Sequence, residues 1–116
     1  MHELSIALSI LDAVEEQAEQ HAGTRIAAVH LKLGPLSGVV KEALLSAFGL
    51  AREGTPFAEC DLLIEEVPVT VFCPTCEAPR AVESMQERRC VQCGTFAPKV
   101  LSGEELELSA IEIADL

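Results

Sequence analysis

Aromatic residues are scarce in this chain of 116 residues, which has four Phe, no Trp and no Tyr. Stacking platforms of the kind that hold single-stranded nucleic acid are therefore hard to build. Basic residues are few as well: 8 Lys plus Arg stand against 19 Asp plus Glu, a net charge of −11. Phosphate affinity comes from Lys and Arg neutralising backbone charge, so this balance disfavours nucleic acid and favours cations. No apolar run reaches the roughly 18 residues that a membrane-crossing helix needs. Residues 1–20 lack a basic n-region and carry Glu3, Asp12, Glu15, Glu16 and Glu19, which is not a signal-peptide pattern. The expectation is a cytoplasmic protein whose thiols stay reduced. A glycine-rich phosphate loop is missing, and so is any Ser/His/Asp or Cys/His nucleophile pattern, so no residues point to an enzyme.

What remains is a compactly patterned chain, 49% hydrophobic. Residues 4–22 predict an amphipathic helix, with Leu4, Ala7, Leu8, Leu11, Val14 and Ala18 recurring at three and four. Residues 25–33 predict a strand in which Ala27, Val29, Leu31 and Leu33 alternate with Ala28, His30 and Lys32. A second helix is expected over 39–53, and further strands over 60–67 and 104–113. Between Pro68 and Gly103 the helical period disappears and turn residues and cysteines take over. Charge changes there too: Arg80, Arg88, Arg89 and Lys99 slightly outnumber Glu77, Glu83 and Glu87. The fold class is thus α+β. A small three-stranded sheet with two helices (1–68 and 102–116) carries an inserted zinc-ribbon module (69–101).

Cys73-Pro74-Thr75-Cys76 and Cys90-Val91-Gln92-Cys93 are separated by thirteen residues. Paired C-x2-C motifs at this spacing are a strong signal for one tetrahedral thiolate site. Each short turn aims two sulfurs at one centre, and Gly94 supplies the positive φ that such a knuckle needs. Four thiolates suit structural zinc; iron and a pair of disulfides are the alternatives. Cys60, the fifth cysteine, reads as a small partly buried hydrophobe.

Met1-His2-Glu3 is the second constellation. The α-amine, the His2 amide nitrogen and the imidazole form one chelate, and Glu3 can add a fourth donor through its amide or carboxylate. Nitrogen donors in a plane suit Ni(II) or Cu(II). Read alone, a solvated histidine at a chain end is the simpler account. His21 and His30 read as surface residues, and the acids of the first helix as a solvated face.

Taken in order, these segments resemble the HypA/HybF family of hydrogenase nickel-incorporation proteins. The resemblance spans essentially the whole chain. It rests on Met1-His2-Glu3-Leu4-Ser5, Leu33-Gly34-Pro35-Leu36-Ser37-Gly38, Gly54-Thr55-Pro56, Glu65-Glu66-Val67-Pro68, the paired C-x2-C motifs and Ser102-Gly103-Glu104-Glu105-Leu106. It implies a nickel metallochaperone serving NiFe-hydrogenase, and in some members urease, with the GTPase HypB and the hydrogenase large subunit as partners. It implies nickel at Met1, His2 and Glu3, and zinc at Cys73, Cys76, Cys90 and Cys93. One position departs. Some members carry an acidic residue just before the second helix that is implicated in the nickel site; here that position is Val40, and Glu42 follows two residues later. Monomer and homodimer both remain open. The competing reading is a zinc-ribbon nucleic-acid-binding protein, or an adaptor without metal cargo.

Overall fold

The computed structural model describes residues 2–82 and 86–115, with position 2 described by its backbone alone. The elements run α1 (His2–Gln20), β1 (Thr24–Leu33), a 3-10 turn (Pro35–Ser37), α2 (Lys41–Ala51), β2 (Asp61–Glu66), β3 (Thr70–Cys73), β4 (Ala78–Ala81), β5 (Lys99–Ser102) and β6 (Leu106–Asp115). They form two compact units. The first comprises Met1–Lys32, Val39–Glu65 and Glu107–Leu116; the second comprises Leu33–Gly38 and Glu66–Leu106.

In the first unit, the three-stranded sheet has the order β2-β1-β6. The helical period decides which residues of α1 are buried: Ala7, Ile10, Leu11 and Val14 join Leu44, Ala47 and Phe48 of α2 and Ile26, Val29 and Leu31 of β1 in one apolar cluster. Each large side chain buried there contributes about 1.5–3 kcal/mol. Leu4 and Leu8, which the periodicity places on the same stripe, instead remain 43% and 50% exposed. On β1 the inward phase differs from strict alternation, because Ala28 as well as Val29 is buried. β1 is the central strand, and neighbours about 4.8 Å away on either side cover a single methyl group. Cys60 is 1% exposed and belongs to the cluster. Burial and the neighbouring Asp61 push its thiol up, against a smaller opposing pull from Arg52.

The second unit is built on a short sheet of order β4-β3-β5. β3 pairs antiparallel with both neighbours, Val71 facing Arg80 on one side and Val100 on the other. Leu33–Gly38, which the periodicity left with the larger domain, clusters with this unit. Backbone hydrogen bonds explain why. The Gly34 N–H donates to the Glu105 carbonyl and the Leu36 N–H to the Gly103 carbonyl, each at 2.8 Å, and the Val67 N–H donates to the Leu33 carbonyl at 2.8 Å. Among the described residues, no helix is long and apolar enough to cross a membrane.

Candidate metal centre

The two C-x2-C knuckles share a local design. In the first, the Glu77 N–H donates to the Cys73 carbonyl at 2.8 Å; in the second, the Gly94 N–H donates to the Cys90 carbonyl at 2.8 Å. Both closing residues lie in the left-handed region, Glu77 at φ 52° and Gly94 at φ 78°. Gly94 was expected to do so. Glu77 was not, because a side chain there works against the conformation and only the turn demands it. Backbone N–H groups also point at sulfur: Cys76 N–H donates to Cys73 Sγ at 3.3 Å, and Gln92 N–H to Cys90 Sγ at 3.4 Å.

The turns bring all four sulfurs within 4.8 Å of one another, the metal-ligand group expected at Cys73, Cys76, Cys90 and Cys93. Cys73 Sγ and Cys93 Sγ are 3.5 Å apart, and Cys76 Sγ and Cys90 Sγ 3.9 Å apart. A tetrahedron with metal–sulfur bonds of about 2.3 Å has edges of about 3.8 Å, so the donor set fits zinc. The sulfurs compete for protons. Cys93 is drawn down to about 6, first by the Thr95 hydroxyl and then by the Thr95 N–H. Cys76 is pushed up to about 12, mainly because it shares a hydrogen bond with Cys93. Thr95 Oγ1 lies 3.2 Å from Cys93 Sγ and 3.0 Å from Thr75 Oγ1, linking the two knuckles.

Arg80 is a contributor that spacing did not reveal. The β3–β4 register sets it opposite Val71, its Nη1 donates to the Pro79 carbonyl at 3.0 Å, and the Cys76 and Cys90 sulfurs act on its guanidinium. Burial works against its charge, but the influence of those sulfurs prevails and holds the guanidinium above its ordinary value. Its Nε is buried with no hydrogen-bond partner among the described residues. Four thiolates around a divalent cation leave a net charge of about −2, which a guanidinium offsets in part. Arg80→Gln is therefore expected to speed zinc loss to a colorimetric chelator by about tenfold, the usual scale of such outer-sphere partners. An unchanged release rate would show that Arg80 has no influence on the metal. Arg88 and Arg89 are likewise engaged within the unit, donating to the Pro98 carbonyl at 3.2 Å and the Gly94 carbonyl at 3.1 Å. A free basic patch for nucleic acid is correspondingly diminished.

Of the terminal constellation, Met1 and the His2 side chain lie outside the described residues. Glu3 is described. Its carboxylate accepts the Val40 N–H at 3.4 Å, at the N-cap of α2, where no side chain of the cap residue itself bonds. Glu3 thus reaches the position where an acidic residue is absent. Glu42 sits in the first turn of α2 and is exposed. His30 and His21 have partners of their own: His30 Nε2 meets Glu112 Oε2 at 2.6 Å, and His21 Nδ1 meets the Gln17 carbonyl at 2.9 Å.

An α+β unit joined to a four-thiolate ribbon defines a small metal-binding protein. Residues 1–113 match the HypA family model, described as hydrogenase/urease nickel incorporation, metallochaperone. The chain belongs to the HypA family; it is a nickel metallochaperone of hydrogenase maturation and not an enzyme. The hydrogenase maturation factor HypA of a Roseiflexus species is 45% identical over 99% of this chain and 94% of its own length. That of Chloroflexus aggregans is 46% identical over 97% of this chain and 98% of its own. The solution structure of the nickel metallochaperone HypA from Helicobacter pylori is 25% identical, with a TM-score of 0.65 and complete coverage of both chains.

Proposed function

We propose that the chain binds Ni(II) at its amino terminus, through the Met1 amine, the His2 amide and imidazole, and Glu3. Zinc held by Cys73, Cys76, Cys90 and Cys93 is structural, because four protein ligands close its coordination sphere. The observation that carries the nickel reading is the hydrogen bond from the Val40 N–H to Glu3, which ties the start of α1 to the start of α2. Glu3 is thereby held on a folded scaffold. The first N–H groups of a helix also have no acceptor within it, so the amides of positions 2 and 3 are available as ligands. A terminal chelate can be handed over without opening a core. In this reading the nickel passes, with the GTPase HypB, to the large subunit of NiFe-hydrogenase, and also to urease, in a cytoplasmic setting that keeps the four thiols reduced.

Nickel titration of untagged protein tests the reading. One tight Ni(II) per chain is expected, and His2→Ala or acetylation of the α-amine should weaken it by about a hundredfold while zinc content stays unchanged. Acid should weaken nickel binding as well, because amine and imidazole must be deprotonated to bind. Tight binding that survives both changes at the terminus would overturn the assignment.

A further inference from the structure

The first unit leaves apolar surface uncovered beside α1. Leu4 and Leu8 are 43% and 50% exposed, one helical turn apart on the same side. Leu8 opens onto a groove of ≈ 500 Å³ between α1 and the segment that follows α2, with Leu11, Ala18, Ala51, Pro56 and Phe57 along its walls. Asp12, Glu15 and Glu19 also line it, and no Lys or Arg does. Their spacing of three and four puts the three carboxylates on one face of α1. None of the three has an ion-pair partner among the described residues.

Shape and charge together select an occupant. From Leu8 to Glu19 the helix rises about 16 Å, the length of roughly three turns of a partner helix. Apolar grooves of this kind take the i, i+3, i+4, i+7 anchors of an amphipathic helix. A row of carboxylates along the edge favours Lys and Arg flanking those anchors. A second copy of this chain is a poor candidate, since it would bring another chain of net charge −11 and the same acidic row against this one. We propose that the groove of Leu8, Leu11, Ala18, Ala51, Pro56 and Phe57 docks a basic amphipathic helix of another protein, its Lys or Arg side chains lying over Asp12, Glu15 and Glu19. Position 8 is about 9 Å along the helix from position 2, so the docked partner lies close to the amino terminus. The docking itself does not depend on nickel being bound there.

The test uses the full-length, zinc-loaded protein and two synthetic helices of about 18 residues and equal charge, a length that supports helix formation. One carries Leu at i, i+3, i+4 and i+7 among Lys; the other has Ala in place of each Leu. By calorimetry, the Leu/Lys helix should bind about tenfold more tightly than the Ala/Lys helix, and lose about tenfold on Leu8→Ser and on Glu15→Lys with Glu19→Lys. Its amide shift changes should centre on Leu8, Leu11, Ala51 and Phe57. The charge reversals lie on the surface and keep the test valid if Leu8→Ser disturbs the fold. Glu104→Lys with Glu107→Lys controls for net charge and should leave the affinity within about twofold. Equal binding of the two helices, shifts centred elsewhere, or indifference to the groove substitutions would overturn the proposal. So would a concentration-dependent dimer that Leu8→Ser dissolves, because the groove would then belong to a second copy.

Discussion

Chelating the zinc, or replacing Cys90 by Ser, is expected to unfold Glu66–Leu106 while the first unit stays folded. The distribution of buried side chains sets this expectation. Among the described residues, the apolar cluster of the first unit holds twelve buried residues drawn from both helices and the sheet. Among the described residues, the second unit contributes Leu33, Val71, Cys73, Cys90 and Ala97 to the buried apolar set, and two of those belong to the four-cysteine group. Its strands are four residues long, and β4 and β5 bury no side chain completely. So small a core cannot offset the conformational entropy of some forty residues, at about 1–2 kcal/mol each for the backbone. Binding of structural zinc supplies about 10–16 kcal/mol in comparable small units. Amide spectra should show signals from residues 66–106 collapsing toward unfolded positions on chelation, with Ala7, Val14 and Leu44 unmoved. Acid acts in the same direction, because protons compete with the cation for the thiolates. Dispersed signals from Val71 and Ala97 in zinc-free protein would show that the unit folds without its metal.

Gly34→Ala should be among the most damaging single substitutions outside the cysteines. A Cβ at Gly34 would stand 2.1 Å from the Gly103 carbonyl oxygen and 2.8 Å from the Gly103 Cα. The obstacle is backbone, so no rotamer change relieves it. The two segments would have to separate, which breaks the 2.8 Å hydrogen bonds from Gly34 to Glu105 and from Leu36 to Gly103. Overpacking costs about 1–3 kcal/mol and each lost hydrogen bond about 1 kcal/mol more. A loss of about 3 kcal/mol or more follows, equivalent to a fall in Tm of roughly 10 °C for a chain of this size. Gly49→Ala is the matched control. It lies inside α2 with nothing within 4 Å of the added carbon, so it should be neutral or stabilise by up to about 1 kcal/mol. A Gly34→Ala protein that melts with the parent would show that the two segments yield at little cost.

What depends on neighbours along the chain was legible in the residues alone. The four-sulfur site was legible because each pair of ligands is made by a turn of four residues. The α+β class was legible because period 3.6 and period 2 are local properties of α1, α2 and the strands. The order of short motifs was enough to suggest the family, and the family model confirms it across residues 1–113. Tertiary structure decided everything that joins distant residues. Arg80 comes under the influence of the Cys76 and Cys90 sulfurs from β4, where the β3–β4 register sets it opposite Val71. Glu3 meets Val40 across thirty-seven positions. Gly34 abuts Gly103 because a backbone crossing requires it, and the punctuation Gly34-Pro35 alone indicates only a turn. Leu8 carries the periodicity of a core residue, yet it is left at the edge of an acidic groove because the core fills with Ala7, Ile10, Leu11 and Val14. Spacing and periodicity act over a few residues. Which faces are covered and which side chains converge is set by strand pairing and packing, where the interacting groups are far apart in sequence.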